Sequence, residues 1–214
     1  MSLVGKKAPW FKETAVVDGE KIITEFTLEK YAGRHDVVMF FYPMDFSMVC
    51  PTELIAFSKR KKDFEERNVK LIAVSCDTEQ SHLAWLQIPV EYGGIKGVTY
   101  PIVSDKNKTM AKNYGVLTGD YYYDDDDMLR ADSPTMVAFR GLFLIDRDGV
   151  VRHESINDIT ITRDVDDVLR VVDAFQYYRE WGDVCPAGWH KGESTVKPTW
   201  GQMSSYLSGD KKEK

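Results

Sequence analysis

Two apolar runs with a helix-like segment between them constrain the fold of this chain more than any other feature. Residues 37–42 (VVMFFY) and 69–75 (VKLIAVS) are typical of strands buried on both faces of an α/β sheet. The segment between them carries apolar side chains at near-helical spacing up to Asn68, namely Leu54, Ile55, Phe57 and Phe64. A helix that joins two such strands implies a right-handed parallel crossover, so the sequence predicts an α/β fold.

Cys50 lies where this helix begins. Pro43 ends the first run, a short loop follows, and Pro51 occupies a favoured position in the first turn of a helix. Unpaired backbone N–H groups and the positive end of the helix dipole meet at such a terminus, and both favour a negatively charged sulfur. The sequence therefore indicates a reactive cysteine. The alternative is a buried cysteine that serves only as a small apolar side chain, and it requires none of this arrangement.

Composition limits the classes of protein that need to be considered. The chain has 214 residues and 43% hydrophobic residues, which suits one globular domain with arms or tails. No apolar stretch approaches the roughly 20 residues of a membrane span, and the first residues lack the apolar core of a secretory signal. We therefore expect a soluble, cytoplasmic protein. A net charge of −6 gives no general attraction to nucleic acid or to an anionic membrane.

The cysteines and histidines do not form a metal-binding pattern. The chain has an odd number of cysteines, and they show no Cys-x-x-Cys spacing: Cys50, Cys76 and Cys185. The four histidines show no metal-ligand spacing. We therefore expect neither a metal site nor a bound cofactor. Cys76 directly follows the second apolar run, and we interpret it as structural, with a part in redox exchange as the alternative. A cysteine protease would need a histidine beside Cys50, and no part of the sequence places one there.

Turn residues and apolar spacing predict the remaining elements. They are a hairpin over 14–24, a helical turn over 27–31, a helix over 79–86, a strand over 100–103, a helix over 106–114 and a second hairpin formed by 135–146 and 150–156. A helix with apolar residues from Val165 to Phe175 has Thr162 as its predicted N-cap and Asp164 in its first turn. Beyond Trp181 the chain is rich in Pro, Gly and Lys, which is typical of a tail.

Two charged features carry open alternatives. Segment 119–134 contains four consecutive aspartates, 124–127, whose mutual repulsion and need for water favour a solvated surface loop over a docking or cation site. Arg140 lies in the middle of an otherwise apolar predicted strand, and a buried arginine must be paired. A thiolate would serve as its partner. The alternative is an arginine at a sheet edge, paired to one of the chain's acids.

Several separated motifs resemble those of the typical two-cysteine peroxiredoxins. They are PMDFSMVCPTE at residues 43–53, SHLAW at 81–85, FRG at 139–141 and VCPAGW at 184–189, and the resemblance spans about residues 3–200. It implies a thioredoxin-like fold with a central mixed β-sheet flanked by helices. It also implies a peroxidase domain over residues 3–180 and a C-terminal arm over 181–214.

The resemblance implies a role for each residue of the site. Cys50 matches the peroxidatic cysteine, which a peroxide oxidises to a sulfenic acid. Ser47 stands where the family has Thr or, less often, Ser, and its hydroxyl would bond the thiolate and the peroxide. Pro43 would shield the site from water. Arg140 would hold the thiolate and the peroxide oxygens, and Glu53 would orient the arginine.

The same resemblance implies partners for the chain. Cys185 matches the resolving cysteine, which the partner subunit of a homodimer supplies, so that an intersubunit disulfide joins Cys50 and Cys185. The implied substrates are hydrogen peroxide and small organic hydroperoxides, and the implied reductant is a thioredoxin-like dithiol protein. The larger assembly that the resemblance implies is a decamer built from homodimers. An oligomeric holdase chaperone, or a relay of peroxide signals, is the alternative function.

Two departures from the family pattern concern regulation. Segment 119–134 is longer than the family leads us to expect. Sensitive members combine a Gly-Gly-Leu-Gly loop with a tail helix carrying Tyr-Phe, and both features favour overoxidation of the peroxidatic cysteine. Here the loop at residues 93–97 reads GGIKG, and Tyr206-Leu207 replaces Tyr-Phe. We therefore expect intermediate sensitivity to excess peroxide.

Overall fold

A computed structural model describes residues 2–209 and shows a mixed α/β fold. The strands are β1 (Glu13–Val17), β2 (Lys21–Phe26), β3 (Asp36–Phe41), β4 (Val69–Ser75), β5 (Ile102–Ser104), β6 (Tyr121–Tyr123), β7 (Leu129–Ala131), β8 (Arg140–Ile145) and β9 (Val151–Asn157). Within the described residues, seven of them form one sheet in the order β2-β1-β5-β4-β3-β8-β9, and β6 pairs with β7 separately. The predicted fold class, a central mixed sheet with helices, is confirmed.

The helices connect and flank these strands. They are α1 (Cys50–Lys59), α2 (Lys61–Glu66), α3 (Glu79–Gln87), α4 (Thr109–Asn113), α5 (Val165–Trp181) and α6 (Trp200–Ser208), with short 3-10 helices at Leu28–Tyr31 and Val90–Tyr92. The predicted helix over 50–68 is in fact two helices, α1 and α2, which meet at Arg60. The predicted elements over 14–31 and the helix over 79–86 are present with shifts of one or two residues at their ends.

Strand β3 is the strand from which the Cys50 site is built. Every residue of β3 is buried, and β3 pairs parallel to β4 and antiparallel to β8. The apolar run at 37–42 and the parallel connection to residues 69–75 are therefore confirmed. Because β8 lies between β3 and β9, its residues are inside the sheet rather than at an edge.

Aromatic and hydrogen-bonded contacts fix α1 against the sheet. The ring of Phe57 on α1 stacks on that of Phe40 on β3, with centroids 4.2 Å apart. The hydroxyl of Tyr100 donates to the backbone oxygen of Leu54 at 2.7 Å, and all four side chains are buried. These contacts hold the first turns of α1, and with them Cys50, at the end of β3.

The segment before β8 differs from its prediction. The strand begins at Arg140 and not at residue 135, because residues 137–139 hydrogen-bond to residues 116–118 instead of joining the sheet. The N–H of Phe139, for example, donates to the oxygen of Val116 at 2.7 Å. Arg140 is consequently the first residue of β8 and not a residue in the middle of the strand.

Other differences concern element ends. The third buried strand is Ile102–Ser104 rather than 100–103, and α4 spans Thr109–Asn113 rather than 106–114. The N-cap of α5 is Asp164, whose side chain accepts the N–H of Asp166, so the prediction of Thr162 as N-cap was wrong. Asp164 is the better cap here because its carboxylate directly meets an unpaired N–H of the first turn.

Segment 119–134 is exposed, as predicted, but it is a hairpin and not an irregular loop. β6 and β7 pair antiparallel, and all six of their residues are exposed. Asp124 organises the turn, since one of its carboxylate oxygens accepts the N–H groups of Asp126 and Met128, each at 3.0 Å. Its other oxygen accepts Nε–H of Arg130 at 2.7 Å. The local repulsion between aspartates is thus offset by bonds within the hairpin.

The chain divides into two compact units, Met1–Arg163 and Asp164–Lys214. The first unit contains the sheet and the Cys50 region. The second contains α5 and α6, together with the Cys185 segment. The predicted division at residues 180 and 181 placed α5 in the first domain, and it stays a prediction. Within the described residues, no helix is long and apolar enough to span a membrane.

Candidate active site

Cys50 is the first residue of α1, and its side chain is fully buried. The N–H of Cys50 donates to Oγ of Ser47 at 3.0 Å, so the serine oxygen satisfies one of the unpaired N–H groups of the helix terminus. The hydroxyl hydrogen of Ser47 stays available to donate to another group. Pro43 is buried in the loop that leads from β3 to this terminus. The predicted position of Cys50 at a helix N-terminus is confirmed.

Arg140 connects the sheet to Cys50. Its Nη1 donates to Sγ of Cys50 at 3.6 Å and to Oε2 of Glu53 at 2.6 Å, and its Nε donates to the backbone oxygen of Ile159 at 2.8 Å. The expectation of the thiolate as its main partner was incomplete, since the shortest of these contacts is the ion pair with Glu53. The alternative of an arginine at a sheet edge was wrong, because β8 lies between β3 and β9. The acidic partner that it proposed is present, and it is Glu53. One guanidinium serves both groups.

Arg163 is a second buried arginine of the site, and the sequence analysis missed it. Its backbone N–H and its Nε donate to Oε1 of Glu53 at 2.9 and 3.0 Å, and its Nη2 donates to Oε2 at 2.9 Å. Nη1 donates to the oxygen of Gly141 at 2.8 Å. A charge count would have found it, because one arginine cannot balance both a buried Glu53 carboxylate and a thiolate.

The electrostatics of the site follow from this arrangement. Burial alone would raise the pKa of Glu53, but the two guanidinium groups outweigh burial and hold the pKa below its ordinary value. Burial lowers the pKa of Arg163, and Glu53 partly restores it. Two buried cations and one buried carboxylate leave one positive charge beside Cys50. A thiolate at Cys50 completes the balance, and an uncompensated buried charge is costly.

Cys185 lies in the second compact unit and is half-buried. Its Sγ is 3.8 Å from the oxygen of Ala174, a weak contact. Burial and the nearby Asp183 carboxylate raise the pKa of the Cys185 thiol. The structure therefore brings together Cys50, Ser47, Arg140 and Glu53, with Pro43 in the adjoining loop, and it places Cys185 in a different unit.

The third cysteine differs from the other two. Cys76 follows β4 and is half-buried, and burial, with a contribution from Asp105, raises the pKa of its thiol to about 12. A thiol of that pKa is unreactive near neutral pH. This agrees with the structural role predicted from the sequence. Among residues 2–209, no group of three or more side chains is arranged to hold a metal ion.

Comparisons with known proteins agree with this geometry. Residues 4–154 match the model of the AhpC/TSA family, and residues 174–200 match the C-terminal domain of 1-Cys peroxiredoxin. Alkyl hydroperoxide reductase C of Helicobacter pylori is 44% identical over 96% of this chain and 96% of its own length. Peroxiredoxin-2 of Mus musculus is 43% identical, over 96% and 95% respectively. A thioredoxin peroxidase of Echinococcus granulosus is 42% identical, over 97% and 98%.

A solved structure is also similar over nearly the whole chain. The reduced 2-Cys peroxiredoxin of Plasmodium vivax superimposes with a TM-score of 0.86 at 39% identity, and the match covers 97% of this chain and 100% of that one. The thioredoxin-like fold of these relatives is the fold described above. The sequence, the charge-balanced cysteine and the relatives agree, and the chain therefore belongs to the AhpC/TSA family of peroxiredoxins, enzymes that reduce peroxides with a thiol.

Proposed function

We propose that Cys50 is the residue that reduces the peroxide and that Arg140, Glu53, Ser47 and Pro43 assist it. The observation that carries this proposal is the charge balance around Cys50, where two buried arginines face one carboxylate and one sulfur. A structural cysteine has no need of a guanidinium at hydrogen-bond distance. Thiol-dependent peroxide reduction is the activity of the family, and the relatives do not favour the chaperone or relay alternative.

The first chemical step is a displacement at oxygen. The Cys50 thiolate attacks the terminal oxygen of a hydroperoxide, a sulfur–oxygen bond forms and the oxygen–oxygen bond breaks. The departing alkoxide, or hydroxide from hydrogen peroxide, takes a proton from water, and Cys50 is left as a sulfenic acid. Arg140 and the Ser47 hydroxyl donate toward the oxygens as negative charge moves onto them, which lowers the barrier. Pro43 limits the access of water to this pocket.

Glu53 acts through the arginines rather than on the peroxide. Its two carboxylate oxygens accept four hydrogen bonds, one from Arg140 and three from Arg163. The three bonds from Arg163 hold the Glu53 carboxylate in place. The bond from Arg140 to this carboxylate and the bond from its Nε to the oxygen of Ile159 then orient the guanidinium, so that Nη1 points at Cys50 before the substrate arrives. Preorganisation of this kind costs no reorganisation energy during the reaction.

The second chemical step forms a disulfide with Cys185. The Cys185 sulfur attacks the sulfenic sulfur, a sulfur–sulfur bond forms, and the hydroxyl group leaves as water with the proton of the Cys185 thiol. We place this bond between the subunits of a homodimer, and a decamer of such dimers is the larger assembly that we propose. A thioredoxin-like dithiol protein then supplies two electrons and restores both thiols. A cytoplasmic location stays a prediction from the sequence.

One experiment tests both cysteines and the subunit arrangement. After one equivalent of hydrogen peroxide, the wild-type protein should run as a reducible dimer on a non-reducing gel, and Cys185→Ser should run as a monomer with an oxidised Cys50. Cys50→Ser should consume no peroxide, while Cys76→Ser, the matched control, should behave as the wild type. A monomeric oxidised wild-type band would contradict the intersubunit disulfide, and peroxide turnover by Cys50→Ser would contradict the role of Cys50.

A further inference from the structure

A buried polar cluster lies in the loop before Cys50, apart from the arginine network. The hydroxyl of Tyr42 donates to Oδ1 of Asp45 at 2.7 Å, and Oδ2 of Asp45 lies 2.8 Å from Nδ1 of His82. The side chains of Tyr42 and His82 are fully buried, and Asp45 is 5% exposed. We call these three residues the Asp45 latch. The latch joins the loop between β3 and α1 to helix α3, on which His82 lies.

Asp45 is the centre of the latch. Besides its two side-chain contacts, its backbone N–H donates to Oδ2 of Asp77 at 2.9 Å, just before α3. Nε2 of His82 is buried and meets no hydrogen-bond partner among residues 2–209, so the ring makes its polar contacts through Nδ1 alone. A buried nitrogen without a hydrogen-bond partner costs stability. The contact between Nδ1 and Asp45 is the interaction that accounts for a histidine at this position.

The residue after Asp45 is held in an unfavourable conformation. Phe46 has φ of 55°, in the left-handed region that a bulky side chain disfavours. Its ring lies against Trp85, with centroids 5.7 Å apart. Trp85 and His82 are three positions apart on α3, so one face of this helix holds two consecutive loop residues. The loop is therefore strained at Phe46 and held in place by α3.

The proposed disulfide step requires this loop to open. Cys50 is fully buried at the first turn of α1, and a disulfide needs Cα atoms roughly 4.4–6.8 Å apart and a direct approach between sulfurs. A thiol carried on a protein segment is far bulkier than a peroxide molecule and cannot approach the buried sulfur directly, so the loop and the first turn of α1 must leave their closed positions. Strain at Phe46 favours this opening, and the buried bonds of Asp45 oppose it.

We propose that the Asp45 latch controls how readily oxidised Cys50 leaves its pocket, and so sets the rate of disulfide formation without taking part in peroxide reduction. This inference rests on the proposed function, because it needs Cys50 and Cys185 as disulfide partners. Tyr42, Asp45 and His82 are positioning residues that act through the loop. A longer-lived closed state also gives a second peroxide more time to oxidise the sulfenic acid to a sulfinic acid.

The test compares His82→Leu with His82→Asn. Leucine removes the donor to Asp45, whereas the amide nitrogen of asparagine can take the place of Nδ1. Rapid mixing with hydrogen peroxide, in a Cys185→Ser background, gives the rate of Cys50 oxidation. Quenched samples with Cys185 present, separated on non-reducing gels, give the rate of disulfide formation. Mass spectrometry of Cys50 at high peroxide gives the sulfinic fraction.

We expect His82→Leu to form the disulfide roughly tenfold faster, the effect of one lost buried hydrogen bond, and to show a lower sulfinic fraction. Its rate of Cys50 oxidation should stay unchanged, and His82→Asn should return disulfide formation to within about twofold of wild type.

An unchanged rate of disulfide formation in His82→Leu, or a fall of both rates together, would overturn the proposal. If His82→Leu does not fold, Tyr42→Phe, which removes only the hydroxyl, must show the same selective acceleration. A wild-type protein without any Cys50–Cys185 disulfide would instead contradict the proposed function.

Discussion

Glu53 is the residue on which the charge balance of the site depends. It lies one turn into α1 and is almost fully buried, yet it is ionised because Arg140 and Arg163 surround it. Removing one member of a buried ion cluster leaves the others uncompensated, which costs more than the pair itself contributes. Stability and reactivity are therefore coupled at this residue.

The coupling predicts a pH-dependent stability difference for Glu53→Gln. Because the fold lowers the pKa of Glu53, the carboxylate stabilises the protein above its unfolded pKa of about 4.3 and loses that contribution as the pH falls through the folded value. At pH 7 we expect the variant to be less stable by about 3–5 kcal/mol. The gap should narrow as the pH falls below about 4.3.

Urea denaturation of both proteins between neutral and acid pH measures this gap. Glu66→Gln is the matched control, since Glu66 ends α2 and, among the residues that the structure describes, makes only an exposed pair with Lys62 at 3.9 Å. Its stability should follow the wild type at every pH. A Glu53→Gln gap that stays constant down to pH 3 would mean that the carboxylate is not the titrating group.

The two arginines should differ in their effect on the reaction. Arg140 contacts Cys50 as well as Glu53, whereas the side-chain hydrogen bonds of Arg163 go to Glu53 and Gly141. Lysine keeps the charge but loses the planar fork. We expect Arg140→Lys to slow Cys50 oxidation by roughly a hundredfold. Arg163→Lys should lower the melting temperature at least as much as Arg140→Lys does, but it should slow Cys50 oxidation less. Stopped-flow oxidation and thermal denaturation of both variants decide the matter, and equal losses of rate would contradict the separate roles.

At the residue scale the sequence correctly placed Cys50 at a helix N-terminus, and it found the ionic partners around Cys50 only in part. Cys50 could be placed because a strand, a proline, a loop and a helix follow one another within a few residues. Arg163 could not be identified from the sequence, since its contacts with Glu53 join residues 110 positions apart and no local pattern marks them. The family resemblance named Glu53 as the residue that orients Arg140, but no local pattern shows that Glu53, 87 positions away, is the closest contact of Arg140.

At the scale of elements, strands buried on both faces were the most predictable. β3 and β4 follow from their apolar composition, because no other element hides such runs from water. The start of β8 was not predictable from the same signal. Residues 137–139 are as apolar as the strand that follows, but their hydrogen bonds go to residues 116–118, a contact that only the tertiary fold supplies.

Helix α6 is the element on which sensitivity to excess peroxide is predicted to depend. It spans Trp200–Ser208 and has no buried residue, and Leu207 is 75% exposed. A phenylalanine at position 207 would add apolar surface and create the Tyr-Phe pair that the family resemblance associates with sensitivity. We expect Leu207→Phe to slow the exit of oxidised Cys50 by roughly fivefold and so raise the sulfinic fraction.

Mass spectrometry of Cys50 during turnover at rising peroxide measures this fraction. Trp200→Phe, at the other end of the same helix and also highly exposed, is the control and should leave the fraction unchanged. Ending the chain before Tyr206 should lower it. If that truncation changes nothing, the tail does not govern overoxidation.

At the scale of the whole molecule, charge is unevenly distributed. Segment 119–134 carries six aspartates and one arginine, and so contributes −5 of the net charge of −6. The rest of the chain is close to neutral. The hairpin formed by β6 and β7 holds most of this charge on exposed residues, away from the buried side chains of the first unit.

The ends of this hairpin allow it to be removed cleanly. The N–H of Asp120 donates to Oδ1 of Asp132 at 2.6 Å, and the N–H of Asp132 donates to the oxygen of Asp120 at 3.0 Å. Replacing residues 121–131 by Asn-Gly should therefore close the chain with a tight turn. We expect peroxidase activity within a few fold of wild type, since an exposed hairpin contributes no core.

Turnover with a thioredoxin system and the direct oxidation rate of Cys50 should be measured side by side. Replacing the four aspartates 124–127 by asparagine in the intact hairpin is the companion variant, because it removes charge and keeps length. Normal oxidation of Cys50 with impaired turnover in both variants would show that the acidic turn is a docking element for the reductant.

The hydrogen bonds between Asp120 and Asp132 also affect how the length of this hairpin can change during evolution. The chain leaves the enzyme and returns to it at nearly the same point, so residues can be gained or lost there without shifting the register that sets Arg140 against Asn157 at the start of β8. A change in the length of the hairpin therefore leaves the position of Arg140 in the sheet unaltered. Selection can alter the size and charge of this appendage among descendants while the arrangement of side chains around Cys50 is inherited unchanged.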